Sequence, residues 1–311
     1  MGTRLKDKVA IVTGGGGGIG RGIALLLAQE GAKVVVNDLG SAVDGKGAST
    51  KAADVVVDEI KRAGGSATPN YDSVATMRGG ENIIKTALDK FGKLDIVITP
   101  AGILRDRMLF NMSEEEWDAV IAVHLKGTFA ICKPASIIFR QQRSGRIITF
   151  SSTSGLYGNP GQSNYGAAKD GIAGFTRVAA RDLGRYGITV NCIAPAALTR
   201  MLATVSDTAR ELRVRAGMPA TSAPSPVTLR MEPDDVAPMT VWLATDEAAN
   251  VNGQIFYVAG GVVSLLNHPE VAREVNKPGR WTVEEIAAIF PSTLGRDLVN
   301  PAPPQPPKEQ A

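Results

Sequence analysis

Val9-Ala-Ile-Val-Thr13, then Gly14-Gly-Gly-Gly-Gly-Ile-Gly20, then Ile23, Leu26 and Leu27 at helical spacing: this stretch decides how the rest of the chain is read. The first five residues form an apolar, β-branched run that stops at glycine, and the apolar residues from Ile19 onward recur with the period of a helix. The order is strand, glycine turn, helix. A turn of this kind lets the backbone approach a pyrophosphate, while the helix N-terminus offers N–H groups and partial positive charge to it. Seven of the 34 glycines fall between Gly14 and Gly22, so the glycine excess is local rather than that of a collagen or a flexible linker.

The same alternation continues outward. Apolar strands are expected at residues 32–37, 67–71, 94–99, 146–151, 188–194 and 254–258, and helices at 49–63, 77–91, 165–183 and 234–245. Ser113 and Glu116 form a capping box that opens a long helix continuing past Lys133. Strands alternating with helices imply parallel βαβ units, and seven nearly unbroken apolar strands imply a sheet covered on both faces. The fold class expected is therefore α/β: a doubly wound, Rossmann-type, seven-stranded parallel sheet with helices on both faces. Residues 1–261 make this domain. Within it, 195–233 is too long for a plain connection and is expected to be a substrate lid. Residues 262–311 form a C-terminal extension with a second capping box at Thr282 and Glu285 and a proline-rich tail from Pro301.

Composition narrows the function classes. Lys and Arg total 34 against 31 Asp and Glu, a formal charge of +3 with no basic block, which gives no footprint for nucleic acid or a membrane surface. No apolar run reaches the length of a transmembrane helix, and no signal-peptide layout precedes Val9, so a cytoplasmic protein is expected. Cys132, Cys192, His124 and His268 are too few for a disulfide framework or an all-protein zinc site.

The chemistry-bearing residues lie at the ends of the expected strands. Asp38 closes the second strand, where a carboxylate can accept both ribose hydroxyls and repel a 2′-phosphate, which favours NAD over NADP. Ser151 and Ser152 close the fifth. Tyr165 and Lys169 follow four residues apart on one helical face, so a cation beside the phenol is expected to lower its pKa from near 10. Tyr165 could then take a proton from a substrate hydroxyl that Ser152 holds, while the carbon beneath releases hydride to a nicotinamide.

With Thr13 to Gly20, Asp38, Asp72, Ala101-Gly102, Ser152, Tyr165, Lys169 and Asn191 to Pro195 in this order, the sequence resembles the short-chain dehydrogenase/reductase family from about Lys6 to Gly261. The resemblance implies a Ser152-Tyr165-Lys169 catalytic set. It also implies a dinucleotide held by Gly14, Gly18, Ile19, Gly20, Asp38, Asp72 with Ser73, Ala101, Gly102, Tyr165, Lys169 and Pro195, with Asp72 beside the adenine. Longer strings, V-V-V-N-D-L-G from Val34, A-G-I-L-R-D-R from Ala101 and S-G-L-Y-G-N from Ser154, are similar to the (3R)-hydroxyacyl-CoA dehydrogenase branch found in peroxisomal multifunctional type 2 enzymes. That implies a hydroxyacyl-CoA thioester substrate, including steroid side-chain thioesters, and a homo-oligomer, dimer or tetramer.

Two positions depart from the family pattern. Thr99-Pro100 replaces two asparagines, which removes one backbone N–H and one amide contact near the cofactor. His124 stands where most of the family has an asparagine that completes a catalytic tetrad, so either it relays protons or it is a satisfied core histidine. Arg105, Arg107, Arg210, Arg213 and Arg215 are candidates for the phosphates of coenzyme A, or else a solvated face. The expected reaction is NAD-dependent oxidation of a 3-hydroxyacyl-CoA. Its rivals are a 17β-hydroxysteroid or other free-alcohol dehydrogenase, an NADPH-dependent 3-oxoacyl reductase, and a cofactor-binding subunit without catalysis.

Overall fold

The computed structural model describes residues 2–197 and 231–302. Most of the expected lid, with Arg210, Arg213 and Arg215, and the tail from residue 303 lie outside the described residues. Eight strands form one sheet: β1 (Val9–Thr13), β2 (Lys33–Asn37), β3 (Ser66–Asn70), β4 (Ile96–Ile98), β5 (Gly145–Phe150), β6 (Ile188–Pro195), β7 (Ile255–Ala259) and β8 (Val262–Leu265). Their order is β3-β2-β1-β4-β5-β6-β7-β8. The first seven pair in parallel, as the alternating pattern predicts, and β8 adds an antiparallel strand through a hairpin with β7. The sheet thus runs past Gly261 into the segment read as an extension. Nothing in the short run Val262–Leu265 separates it from a loop until β7 supplies its partner.

The helices are α1 (Gly18–Gln29), α2 (Lys51–Arg62), α3 (Met77–Phe91), α4 (Glu114–Ile121), α5 (Gly127–Gln142), α6 (Thr153–Tyr157), α7 (Ser163–Gly184), α8 (Ala237–Trp242) and α9 (Val283–Ile289). Because strand side chains alternate between faces, each strand feeds two cores. Val12, Val34, Val36, Ile98, Ile148 and Phe150 pack against α1, α2 and α8 on one face. Ile11, Val35, Val97, Ile147 and Val190 pack against α3, α5 and α7 on the other. Fully burying each such side chain contributes about 1.5–3 kcal/mol. The single long helix expected after Ser113 is instead two helices joined by a wider π-turn, Ala122–Lys126. By length and composition alone this rod, Glu114–Gln142, could cross a membrane; here it packs as a core helix of the sheet's second layer. Both capping boxes read from the sequence are present, at Ser113/Glu116 and at Thr282/Glu285.

The order of the strands reverses between β1 and β4, whose carboxyl ends open a crevice at that switch point. The α3 and α5 helices behind it approach closely at Gly80, where an added Cβ would stand 2.2 Å from the Ala130 carbonyl oxygen. We expect Gly80→Ala to destabilise the protein by about 1–3 kcal/mol, the usual cost of overpacking, in equilibrium urea denaturation.

Candidate active site

The glycine turn is built by steric demand. Gly14 has φ +61°, and a Cβ on Gly20 would lie 2.1 Å from the Gly14 carbonyl oxygen, so α1 can start this close to β1 only with glycine at both places. The N-terminus of α1 receives no side-chain cap at Gly17 and has no acidic residue in its first turn. Its amides are left for an anion, which fits a pyrophosphate. Asp38 ties this turn to the end of β2: one carboxylate oxygen accepts from the Gly16 N–H at 2.9 Å and the other from the Gly40 N–H at 2.7 Å. One strand further out, Asn37 donates to Asn70 Oδ1 at 2.8 Å and to the Asp72 carbonyl at 2.9 Å. The Asp72 carboxylate accepts from Asn70 and Asn82 at 2.9 Å each, and Ser73 accepts from the Ala75 N–H, so both residues sit on the crevice side of β3 with Asp38. Sequence reasoning singled out Asp38 and Asp72 but not the buried Asn37–Asn70 pair that spaces them.

Across the switch point, the Ala101 N–H donates to Thr13 Oγ1 at 3.3 Å. The expected loss at Thr99-Pro100 is visible beside it. Thr99 keeps its backbone bond to Ile148, but its buried hydroxyl has no partner among the described residues, beside a small gap lined by Thr13, Val74, Ala101, Val123 and Thr128.

The catalytic candidates converge. Ser152 caps α6, its Oγ accepting from the Ser154 N–H at 3.1 Å, and its hydroxyl is near enough to the Tyr165 phenol to act on its ionisation. Lys169 is buried; its Nζ donates to the Phe150 carbonyl at 2.7 Å and lies 5.5 Å from the Tyr165 ring centroid. Ser151 Oγ donates to the Lys169 carbonyl at 2.8 Å, which fastens β5 to α7. The expectation that Lys169 lowers the phenol pKa is not met. Burial pushes Tyr165 up to about 12, against a lowering by Ser152 and with a further rise from Asp106. Burial also brings Lys169 down to about 8, its ammonium spent on a carbonyl rather than on the phenol oxygen. His124 lies in the same cluster, its ring edge-on to Tyr165. Pro195 ends β6, paired with Val258 at the same edge of the sheet.

Sequence reasoning missed Asn164, which is fully buried one residue before Tyr165. Its amide nitrogen donates to the carbonyls of Arg105 and Glu116 at 3.0 Å each, and its oxygen accepts from the Tyr165 N–H at 2.7 Å. Two segments are pinned to the start of the catalytic helix by one side chain. Gln162 adds a bond to Asp106 at 2.8 Å. A lone Asn inside a helical pattern carries no signal of this, because its partners are distant backbone carbonyls. Arg105 and Arg107 are paired with Glu115 at 3.0 Å and Glu116 at 2.9 Å, so neither guanidinium is a free clamp for a coenzyme A phosphate. Among the described residues no cluster of His, Cys, Asp and Glu could hold a metal ion.

A glycine-walled dinucleotide crevice facing a Ser-Tyr-Lys set on one α/β sheet defines a nicotinamide-dependent oxidoreductase acting on CH–OH groups. A family model described as enoyl-(acyl carrier protein) reductase matches residues 15–263, and the chain belongs to the short-chain dehydrogenase/reductase family. It is 47% identical over 262 residues to a short-chain type dehydrogenase/reductase of Mycobacterium tuberculosis, covering 84% of this chain and 85% of that one. It is 42% identical over 308 residues to the hydroxyacyl-CoA dehydrogenase ChsB1 of the same organism, 95% of this chain and 91% of that one. Against the peroxisomal hydratase-dehydrogenase-epimerase of Neurospora crassa it is 44% identical over 263 residues, 85% of this chain but 27% of that longer protein. A crystal structure of a short-chain dehydrogenase from Mycobacterium avium superimposes with a TM-score of 0.78 at 42% identity, each chain covered to 99%.

Two outcomes test this site. Thr99→Val replaces a partnerless buried hydroxyl by a methyl group and is expected to raise stability by about 1 kcal/mol in urea denaturation. In an ultraviolet pH titration, the difference between wild type and Tyr165→Phe should show no phenolate from Tyr165 below about pH 11 without cofactor, since the folded-state value lies above the free one near 10.

Proposed function

We propose that this protein oxidises a 3-hydroxyacyl-CoA thioester to the ketone with NAD as acceptor, a steroid side-chain thioester being one such substrate. The observation that carries the dehydrogenase chemistry is the convergence of Ser152, Tyr165 and Lys169 beside the glycine crevice. The thioester class is supported by likeness to a hydroxyacyl-CoA dehydrogenase along nearly the whole chain. The choice of NAD is supported by Asp38: its carboxylate is fixed at the end of β2 by two backbone N–H groups and still has lone pairs for ribose hydroxyls, while its charge opposes a 2′-phosphate.

The glycine turn and the N-terminus of α1 would hold the pyrophosphate, Asp38 the adenosine ribose, Asp72 the adenine edge, and Lys169 the nicotinamide ribose. When bound, the oxidised dinucleotide supplies the hydride acceptor and a positive charge over the site. A positive charge there would favour the phenolate of Tyr165 against the burial that raises its pKa. Ser152 then orients the substrate hydroxyl and Tyr165 takes its proton. Asn164 and Ser151 keep the tyrosine and lysine in register with β5 while this happens.

A panel of CoA thioesters and free alcohols, each with NAD and NADP, tests the reading. A 3-hydroxyacyl-CoA should exceed the free alcohols in kcat/KM by at least about tenfold, a difference of about 1.4 kcal/mol; faster turnover of a free 17β-hydroxysteroid would favour that rival instead. Tyr165→Phe should abolish oxidation while dinucleotide binding survives. In Asp38→Ala the affinity for NAD should drop by at least about tenfold more than that for NADP, and equal losses would show that the carboxylate serves only the glycine turn.

A further inference from the structure

His124 is held on every side that the described residues define. It sits in the middle of the π-turn Ala122–Lys126, where one extra residue in the helical ring turns its side chain inward, and it is 2% exposed. Nε2 lies 2.8 Å from the Ile103 carbonyl oxygen and 3.0 Å from the Ile103 nitrogen. A Cβ at position 102 would stand 2.2 Å from His124 Cε1, so the glycine of Ala101-Gly102 is what admits the ring. The imidazole meets the Tyr165 ring edge to face, with centroids 5.1 Å apart and planes at 86°. Burial and the nearby Lys169 ammonium press its pKa down to about 3, so the ring is neutral wherever the enzyme is folded and active.

What the ring nitrogens touch decides what such a ring can do. Nδ1 is buried with no hydrogen-bond partner among the described residues. Nε2 cannot both donate to and accept from Ile103: with its proton on Nε2 the ring donates to the carbonyl, with its proton on Nδ1 it accepts from the Ile103 N–H, and in either tautomer it is fastened to that backbone. A proton passing through the ring would have to enter or leave by the Ile103 backbone, whose carbonyl does not hold one and whose N–H does not release one. The relay expected from the sequence is therefore closed, and what remains is the edge that the fastened ring presents to Tyr165.

We propose that His124 is a positioning residue for Tyr165: an imidazole fastened to the Ile103 backbone whose edge sets the plane of the phenol ring, so that its hydroxyl meets Ser152 and the substrate. It also joins two sides of the site, since Ile103 follows the Ala101-Gly102 turn that faces the cofactor crevice. The inference rests on Tyr165 being the base.

Three substitutions separate its parts. His124→Phe keeps an aromatic edge without the bond to Ile103, His124→Asn offers an amide without a ring, and His124→Ala removes both. In the Ala and Asn variants kcat should fall by about 100-fold, the scale of a misplaced reacting group, with KM for the dinucleotide changed by less than about threefold. The limb of the kcat/KM pH profile that reports Tyr165 should move, which a loss of folded protein alone would not do. His124→Phe, which keeps the edge but leaves the Ile103 carbonyl and N–H without their partner, should lie between His124→Ala and wild type in kcat. Wild-type kcat in His124→Ala would overturn the proposal, and so would a His124→Phe variant as inactive as His124→Ala. Should the variants fail to fold, nitrogen NMR of the wild-type imidazole decides: a ring held neutral in one tautomer from about pH 5 to 9 supports positioning, and a ring that takes up a proton or exchanges between tautomers in that range overturns it. An active Tyr165→Phe would sink the base itself; an active His124→Ala beside an inactive Tyr165→Phe sinks only the role given to His124.

Discussion

A parallel sheet buried on both faces leaves its polar chemistry one place to stand, the carboxyl edge where strands end and helices begin. Backbone groups inside the sheet are spent on neighbouring strands, and most side chains along its central strands on the cores packed against its two faces. Thr13, Asp38, Asp72, Thr99, Ser152 and Pro195 all lie at or just past such strand ends. The reversal of strand order between β1 and β4 parts the helices at that edge and gives the crevice its position.

What the edge must then do is hold groups that the sheet does not hold. It does so with side chains that bond to distant backbone. Asp38 bonds Gly16 and Gly40, Asn164 reaches Arg105 and Glu116, and Lys169 reaches Phe150. Each is a buried or part-buried polar group whose desolvation is met by fixed partners, so the site is stiff before any ligand arrives. The cost of this stiffness shows in the ionisations: burial drives Tyr165 up and Lys169 down, each away from the charged form. This packing by itself favours the neutral phenol.

Much of this was legible in the residues. The strand–glycine–helix opening, the parallel order of seven strands and the place of Asp38 follow from periodicity and spacing, because local sequence carries hydrophobic pattern and turn chemistry directly, while the catalytic set Ser152, Tyr165 and Lys169 is what the family resemblance implies. The direction of the Tyr165 shift did not follow. Spacing of four residues places Lys169 beside Tyr165, but only the packed structure shows the ammonium aimed at Phe150 instead of the phenol. Asn164, the Asn37–Asn70 pair, the π-turn and β8 were likewise invisible, since each depends on a partner far along the chain.

The sequence by itself determined the fold class and which residue types stand at the strand ends, because burial pattern and glycine placement are local properties that survive without knowledge of neighbours. The tertiary structure alone decided how those residues are charged and aimed: the depth at which Tyr165 lies, the fastening of His124 to Ile103, and the commitment of Arg105 and Arg107 to glutamates. Desolvation and hydrogen-bond geometry are set by atoms brought together from distant segments, and no window of sequence contains them.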